Sequence, residues 1–341
     1  MQEQTEPLTV VAPRSLTTWY TAFAGDSSPA IFVGESELDR EAILHRLAAE
    51  SGGRSIRILS GHDSLIRDFA IGHMLRAKGI GVSAQSGFAS ALGLDKLLQK
   101  RILQAVKVPV PRWGGPGDPI APGACILHKQ RDSTQSRGLG WLAGNAKTAE
   151  DAYWEEFVPG VEYSVVLYRS PRGTVTFPIV WKGENRLDLL PPWRRLRTVP
   201  SGLDAATARY LAETSLTIAE IADVWGFLEV EFIVPPTSGP VVIDINPRVC
   251  GTMRLVAMAT GERIFDWSSF PGDGDRVVPV LRYAAEVPFD GTPFTSDDVI
   301  ATSRLTCSGD DARAVRQLLA RWTDAVPLAK DNAWPAGWRA D

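Results

Sequence analysis

Val242-Ile243-Asp244-Ile245-Asn246-Pro247-Arg248 is the stretch that decides how this chain is read. Alternation along a strand puts Asp244, Asn246 and Arg248 on one face, with Ile243 and Ile245 on the other. Three polar groups that end at a proline are poor core material. They suit a magnesium ion, which takes hard oxygen ligands and keeps phosphate oxygens in its shell. The competing reading is a half-exposed polar sheet face that happens to end in an Asn-Pro turn.

The segment just upstream strengthens the first reading. Phe227-Leu228-Glu229-Val230-Glu231-Phe232-Ile233 alternates in the same way, and Pro235-Pro236-Thr237-Ser238-Gly239-Pro240 is a turn. An antiparallel hairpin is predicted, with Glu231 opposite Asp244. Glu231, Asp244 and Asn246 then form a candidate site for one or two metal ions between phosphates.

Two more segments carry candidate chemistry. In Trp154-Glu155-Glu156-Phe157-Val158-Pro159-Gly160-Val161-Glu162, acids and an apolar pair precede a Pro-Gly turn and a strand. An adenine needs a peptide edge beside an apolar slot, and a ribose needs acceptors; Glu155, the backbone of Glu156 and Val158, and Glu162 are the candidates. In Ile126-Leu127-His128-Lys129, a lysine ends an apolar strand. The loop that follows contains Arg137 and Gly138, and can fold its N–H groups and Arg137 over phosphates. Taken singly, the first pattern can be a solvated turn and the second a surface hairpin.

The rest of the chain supplies the frame. Leu8–Ala12, Ala30–Val33, Ser55–Leu59 and Gly81–Ala84 read as short strands, with helical stretches at Glu37–Glu50 and Ser64–Lys78 between them. That pattern predicts βαβ units and an open parallel α/β domain. Asp95–Leu103 is a one-sided helix stopped by Val108-Pro109-Val110-Pro111, and a Gly/Pro-rich connection follows at 114–119. Beyond it, strands at Cys125–Lys129, Tyr163–Tyr168, Val175–Trp181, Leu228–Val234 and Val241–Asn246, with a long helix over Asp204–Trp225, predict an antiparallel α+β region. A final helix is expected over Asp310–Val326, followed by a Trp/Pro-containing packing or oligomer element.

Composition narrows the class. At 341 residues and 44% apolar, the chain can bury a large core. A net charge of −4 without a basic block argues against nucleic acid as a partner. No apolar run reaches membrane length, and the polar start, Met1-Gln2-Glu3-Gln4-Thr5-Glu6, does not read as a secretory signal. Cys125, Cys250 and Cys307 are spaced as reduced thiols, so a cytoplasmic location with no membrane partner is expected. There is no GxGxxG, GxxxxGK[ST] or GxSxG segment, and the four histidines lack zinc-ligand spacing.

In this order, with Asp95-Lys96 upstream, the three segments resemble the ATP-grasp superfamily, in particular carboxylate–amine ligases related to the carbamoyl phosphate synthase large subunit and to L-amino acid ligases. The likeness covers roughly residues 90 to 265. It implies an ATP-grasp fold: an N-terminal α/β domain over 1–90, a small lobe with the glycine-rich loop over 91–160, and a large lobe with the metal site over 161–341. It further implies that Lys96, Lys129, Arg137 and Gly138 serve the phosphates of ATP, and that Glu155, Glu156, Val158 and Glu162 serve adenine and ribose. Mg²⁺, or Mn²⁺ in its place, falls to Glu231, Asp244 and Asn246. Arg248, and less directly Lys182, would act on the transferred phosphate, and Arg248 or Arg254 would anchor a substrate carboxylate. The expected partners are a small-molecule carboxylate and an amine, with a homodimer as the base-rate expectation. Two departures stand out: Asp244 replaces the usual glutamate, and Gln130 replaces the proline after the strand lysine. An ATP-binding partner that has lost catalysis and a kinase-like phosphotransferase are the rival readings.

Overall fold

A computed structural model describes residues 8–338 except 25–29, 35–36, 38, 121–123, 135, 143–147, 192–193, 267–273, 323–333 and 336. The first sheet is parallel, in the order Ala30–Val33, Leu8–Pro13, Ser55–Ile58, Val82–Ser83. Helices Arg40–Glu50 and Leu65–Ala77 connect its strands. Asp39 starts the first by accepting from the Ala42 N–H at 3.0 Å, satisfying one of the donors a helix start leaves open. Ile31, Val33, Leu47, Ile56, Ile71 and Leu75 pack between sheet and helices. The βαβ pattern is therefore observed as predicted, with an additional helix at Thr17–Ala24.

The second sheet is small and antiparallel: Trp113–Gly114, Ala152–Glu156, Ile126–Gln130, Gly140–Trp141. It carries the glycine-bearing loop between its last two strands. Gly138 sits there at φ +69°, a left-handed conformation that favours glycine, with the exposed Gln130 side chain against it.

The large sheet begins with the predicted hairpin. Val241–Asn246 pairs with Gly226–Val234, which pairs with the long strand Val161–Ser170. Val180–Glu184, Arg197–Val199, Tyr283–Pro288 and Arg304–Gly309 follow in order, all antiparallel. Helix Ala205–Ile221 covers one face through Leu211, Ile218 and Ala219. Helix Thr252–Thr260 is buried along its whole length and packs in a core shared with Tyr168, Phe227 and the N-terminal Val10 and Tyr20.

Two expectations change, and a third is tested only in part. The strand expected over Val175–Trp181 is two strands, Gly173–Thr176 and Val180–Glu184, because Pro178 has no N–H to give a ladder. Ile243 does not oppose Asp244: the register jumps from Glu231↔Asp244 to Phe232↔Val242, a bulge that brings Ile243 to the cavity side. The last helix is described over Ala312–Trp322, and residues 323–326 of its expected span lie outside the described residues. Of the tail, Trp338 is fully buried, donating from Nε1 to the Pro200 carbonyl at 2.9 Å and stacking on Trp334. No helix among the described residues is long and apolar enough to cross a membrane, and no disulfide is formed among them.

Candidate active site

A cavity of about 730 Å³ opens between the small sheet and the large one. Every candidate residue but Gly138 lines it, Arg254 among them; Gly138 instead shapes the loop above. The hairpin supplies one wall. Its register sets Glu231 across from Asp244 and Glu229 across from Asn246.

The helix Lys96–Ala105 is fastened to that wall. Asp95 caps it, accepting from the Leu97 and Leu98 N–H groups, and is held by Arg131 at 2.6 Å. Buried Gln99 binds the Ile245 main chain on both sides, donating to its carbonyl at 2.8 Å and accepting from its N–H at 3.0 Å. Lys96, thus aimed, meets Asp244 at 2.6 Å. Burial works against the Asp244 charge, but Lys96 holds the carboxyl below its ordinary range.

Opposite stands a second cluster. Glu155 is buried between two ammonium groups, Lys129 at 2.5 Å and Lys100 at 2.6 Å. Burial opposes its charge, yet the two lysines lower its pKa. The sequence reading offers this carboxylate to a ribose; the structure commits it to the lysines. Lys100 is fully buried, and burial lowers it to about 8 in spite of Glu155. It lies one helical turn from Lys96, a spacing that could have marked it. The Glu156 N–H is likewise committed, to the Arg112 carbonyl at 2.7 Å, and the Val158 carbonyl accepts from Asn185 at 2.9 Å.

The third cluster is a chain of charges. Arg195 holds Glu162 at 2.6 Å, and Lys182 bridges Glu162 and Glu231, each at 2.8 Å. Burial would raise Glu162, but Lys182 and Arg195 keep it at about 2. Glu231 behaves oppositely. Burial pushes it up to about 7, Lys182 pulls it back only in part, and Glu229, Glu162 and Asp244 add to the rise. Arg248 completes the wall, donating to the Asn246 Oδ1 at 2.8 Å and reaching Thr134 of the loop at 3.3 Å. Arg137 and the remaining loop groups line the cavity's upper side.

Among the described residues no three or more His, Cys, Asp or Glu side chains converge as a metal cluster. The hairpin nevertheless fits a divalent ion in chemistry. Two carboxylates and an amide oxygen share one wall, each presently answered by a cationic side chain: Glu231 by Lys182, Asp244 by Lys96, Asn246 by Arg248. Phosphate oxygens complete such shells readily. Glu229, Arg195, Arg197 and Arg304 also line the cavity and were not singled out from sequence. Glu229 shares the face of Glu231; the arginines belong to no local motif.

Neither protein-family models nor curated proteins match the chain. Solved structures do. N5-carboxyaminoimidazole ribonucleotide synthetase from Thermotoga maritima superimposes with a TM-score of 0.68 at 16% identity, over 93% of this chain and 97% of that one. L-amino acid ligase from Bacillus licheniformis gives 0.67 at 12%, over 95% and 97%. Biotin carboxylase from Campylobacter jejuni gives 0.66 at 16%, over 92% and 84%. A further match is described as an ATP-grasp superfamily protein, from Archaeoglobus fulgidus. The chain has the ATP-grasp fold.

Proposed function

We propose that this chain is an ATP-dependent ligase that activates a small-molecule carboxylate, amino-acid-like in character, as an acyl phosphate. An amine then captures it to form an amide, releasing ADP and phosphate, in specialised metabolism. The observation that supports this most is the gathering of Glu231, Asp244 and Asn246 with the Lys96, Lys129 and Arg248 cations around one cavity. The likeness to an L-amino acid ligase and to a biotin carboxylase in complex with β-γ-ATP supports it further.

In this reading adenine lies along the Glu156–Val158 peptide edge and ribose beside Glu162. Glu231, Asp244 and Asn246 would hold magnesium, which when bound neutralises phosphate charge. Lys129 and Lys96 exchange their carboxylate partners for phosphate oxygens as the nucleotide enters, so no unpaired charge is left buried at either stage. Arg248 steadies the carboxylate that attacks the γ-phosphorus; phosphoryl transfer is chiefly positioning and charge stabilisation. The loop of Arg137 and Gly138 then keeps water from the acyl phosphate.

Incubation with Mg-ATP and a panel of amino acids, with and without hydroxylamine, tests the reading. Hydroxamate and ADP are expected together. A stable phosphorylated product would instead indicate a phosphotransferase, and ATP binding with no ADP release across the panel would indicate a partner protein without turnover.

A further inference from the structure

The loop that follows strand Ile126–Gln130 is fastened at three points. Arg131, its first residue, pairs with Asp95, and its carbonyl accepts from the Lys96 N–H at 3.1 Å. Thr134 accepts from Arg248 at 3.3 Å. Between these two, Asp132 turns to the parallel sheet, where its Oδ1 lies 3.0 Å from Nε2 of His62. His62 stands past the end of strand Ser55–Ile58 and before helix Leu65–Ala77, on the side of an open α/β sheet where functional groups gather. The Ser60 carbonyl accepts from the Val249 N–H at 3.1 Å, so the segment that bears His62 is docked beside Arg248.

The chemistry of the pair makes His62 the fixed side. Its side chain is 14% exposed, against 69% for Asp132. A carboxylate only accepts, which assigns the shared proton to Nε2. Nδ1 is enclosed and has no hydrogen-bond partner among the described residues, so a second proton there would meet no acceptor. Burial lowers the His62 pKa and Arg248 lowers it further, with Asp132 and Asp63 opposing them only in part. The ring is therefore neutral, with one N–H directed at the loop. No step of the ligase reading uses it.

We propose that His62 is a positioning residue for this loop and acts through Asp132. By holding Asp132 it keeps Ser133, Thr134 and Arg137 along the cavity that they line, and keeps Thr134 within reach of Arg248. The parallel sheet thereby sets where the phosphate-site loop lies, although it supplies none of the phosphate contacts. This role rests on the ligase reading for what the loop covers, and on geometry alone for what holds the loop.

Trypsin digestion of the full chain, with cut sites read by mass spectrometry, tests it, because Arg137 is exposed in the same loop. Without nucleotide, His62→Ala should speed the cut after Arg137 about fivefold, the effect of one charge-assisted hydrogen bond reduced by the exposure of Asp132. Asp132→Ala, at an exposed position that tolerates the change, should do the same should His62→Ala not fold. The double variant should be cut no faster than either single one, as for two residues that act through one contact. His62→Gln, whose amide can donate from near the place of Nε2, should restore most of the wild-type rate. Binding of a non-hydrolysable ATP analogue with Mg²⁺ should weaken about fivefold in His62→Ala, by the same lost contact. A folded His62→Ala cut after Arg137 at the wild-type rate, or one that keeps full affinity for the analogue, would overturn the role. So would a double variant cut faster than both singles, and faster cutting along the whole chain would make His62 a structural residue. Failure of the wild type to bind the analogue would instead sink the ligase reading, and the digestion without nucleotide would still decide whether His62 holds the loop.

Discussion

Two buried glutamates on one sheet, Glu231 and Glu286, are displaced in opposite directions. Burial raises both. Glu231 has one lysine, itself shared with Glu162, and three acidic neighbours, so it stands at about 7. Glu286 has three arginines, so it stands at about 2. The same residue type is thus short of a cation where it lines the cavity and surrounded by cations where it lies behind the cavity's arginines. The first site holds the hairpin carboxylates proposed above for a metal, and the second is a carboxylate already held by three guanidinium groups.

The sharpest way to break this contrast is to delete each carboxylate. Glu286→Ala leaves three arginines without their shared partner and should destabilise the fold by about 3–5 kcal/mol, as breaking a buried charge network does. Glu231→Ala removes an acid from an acid-rich wall and should cost far less. Equal losses in a chemical denaturation series would mean that partners do not distinguish the two sites.

Next in size is the response to pH of the protein without nucleotide. Glu231 is raised in the folded state, so its stabilising contribution is full below its unfolded value near 4.5 and is lost as pH rises through about 7. Glu286 is lowered, so its contribution is present above 4.5 and is lost as pH falls through about 2. Each arm is on the order of 3 kcal/mol at most. Stability measured from pH 4.5 to 7 should therefore fall less steeply in Glu231→Gln than in the wild type. Parallel curves would remove the cation deficit from the argument.

Asn246→Ala follows. It should lower turnover by about a hundredfold, in the range seen when one polar group at the reacting centre is lost. Fold stability should change little, since this strand end borders the cavity and Ile245 beneath it keeps its Gln99 contacts. Global unfolding of the variant would make Asn246 a structural residue.

The two ends also differed in how far sequence could find them. The hairpin was legible because acids alternate with β-branched and aromatic residues on two adjacent strands, so period and turn chemistry fix the pairing of Glu231 with Asp244. What escaped was the bulge at Ile243, which depends on packing. Of the arginine end only Arg254 was offered, through the resemblance; its members run from residue 197 to residue 304 and meet only when the sheet forms. Arg304–Gly309 is buried on both faces yet carries Arg304, Thr306 and Ser308, so it lacks the apolar run of a core strand. Helix Thr252–Thr260 is short, and its polar Thr252, Arg254 and Thr260 are buried with the rest of it, so polarity marks no exposed face on it.

The smallest effect expected is at Lys100, which lies beneath the hairpin end and contacts neither Glu231 nor Glu286. Its ammonium shares Glu155 with Lys129 and also lies 3.3 Å from the Ile243 carbonyl, at the bulge. While Lys100 is charged, Glu155 divides its attraction between two lysines, and Lys129 can leave it for a phosphate. Lys100→Met should tighten the Lys129–Glu155 pair and weaken ATP binding by about tenfold, comparable to losing one charge-assisted contact. Since burial places Lys100 at about 8, its charge is lost as pH rises past that point. Wild-type ATP affinity should then decline between pH 7 and 9 toward that of Lys100→Met, whose own affinity should stay flatter over the interval. A wild type and variant that decline in parallel would show that Lys100 only fills space beneath the cavity floor.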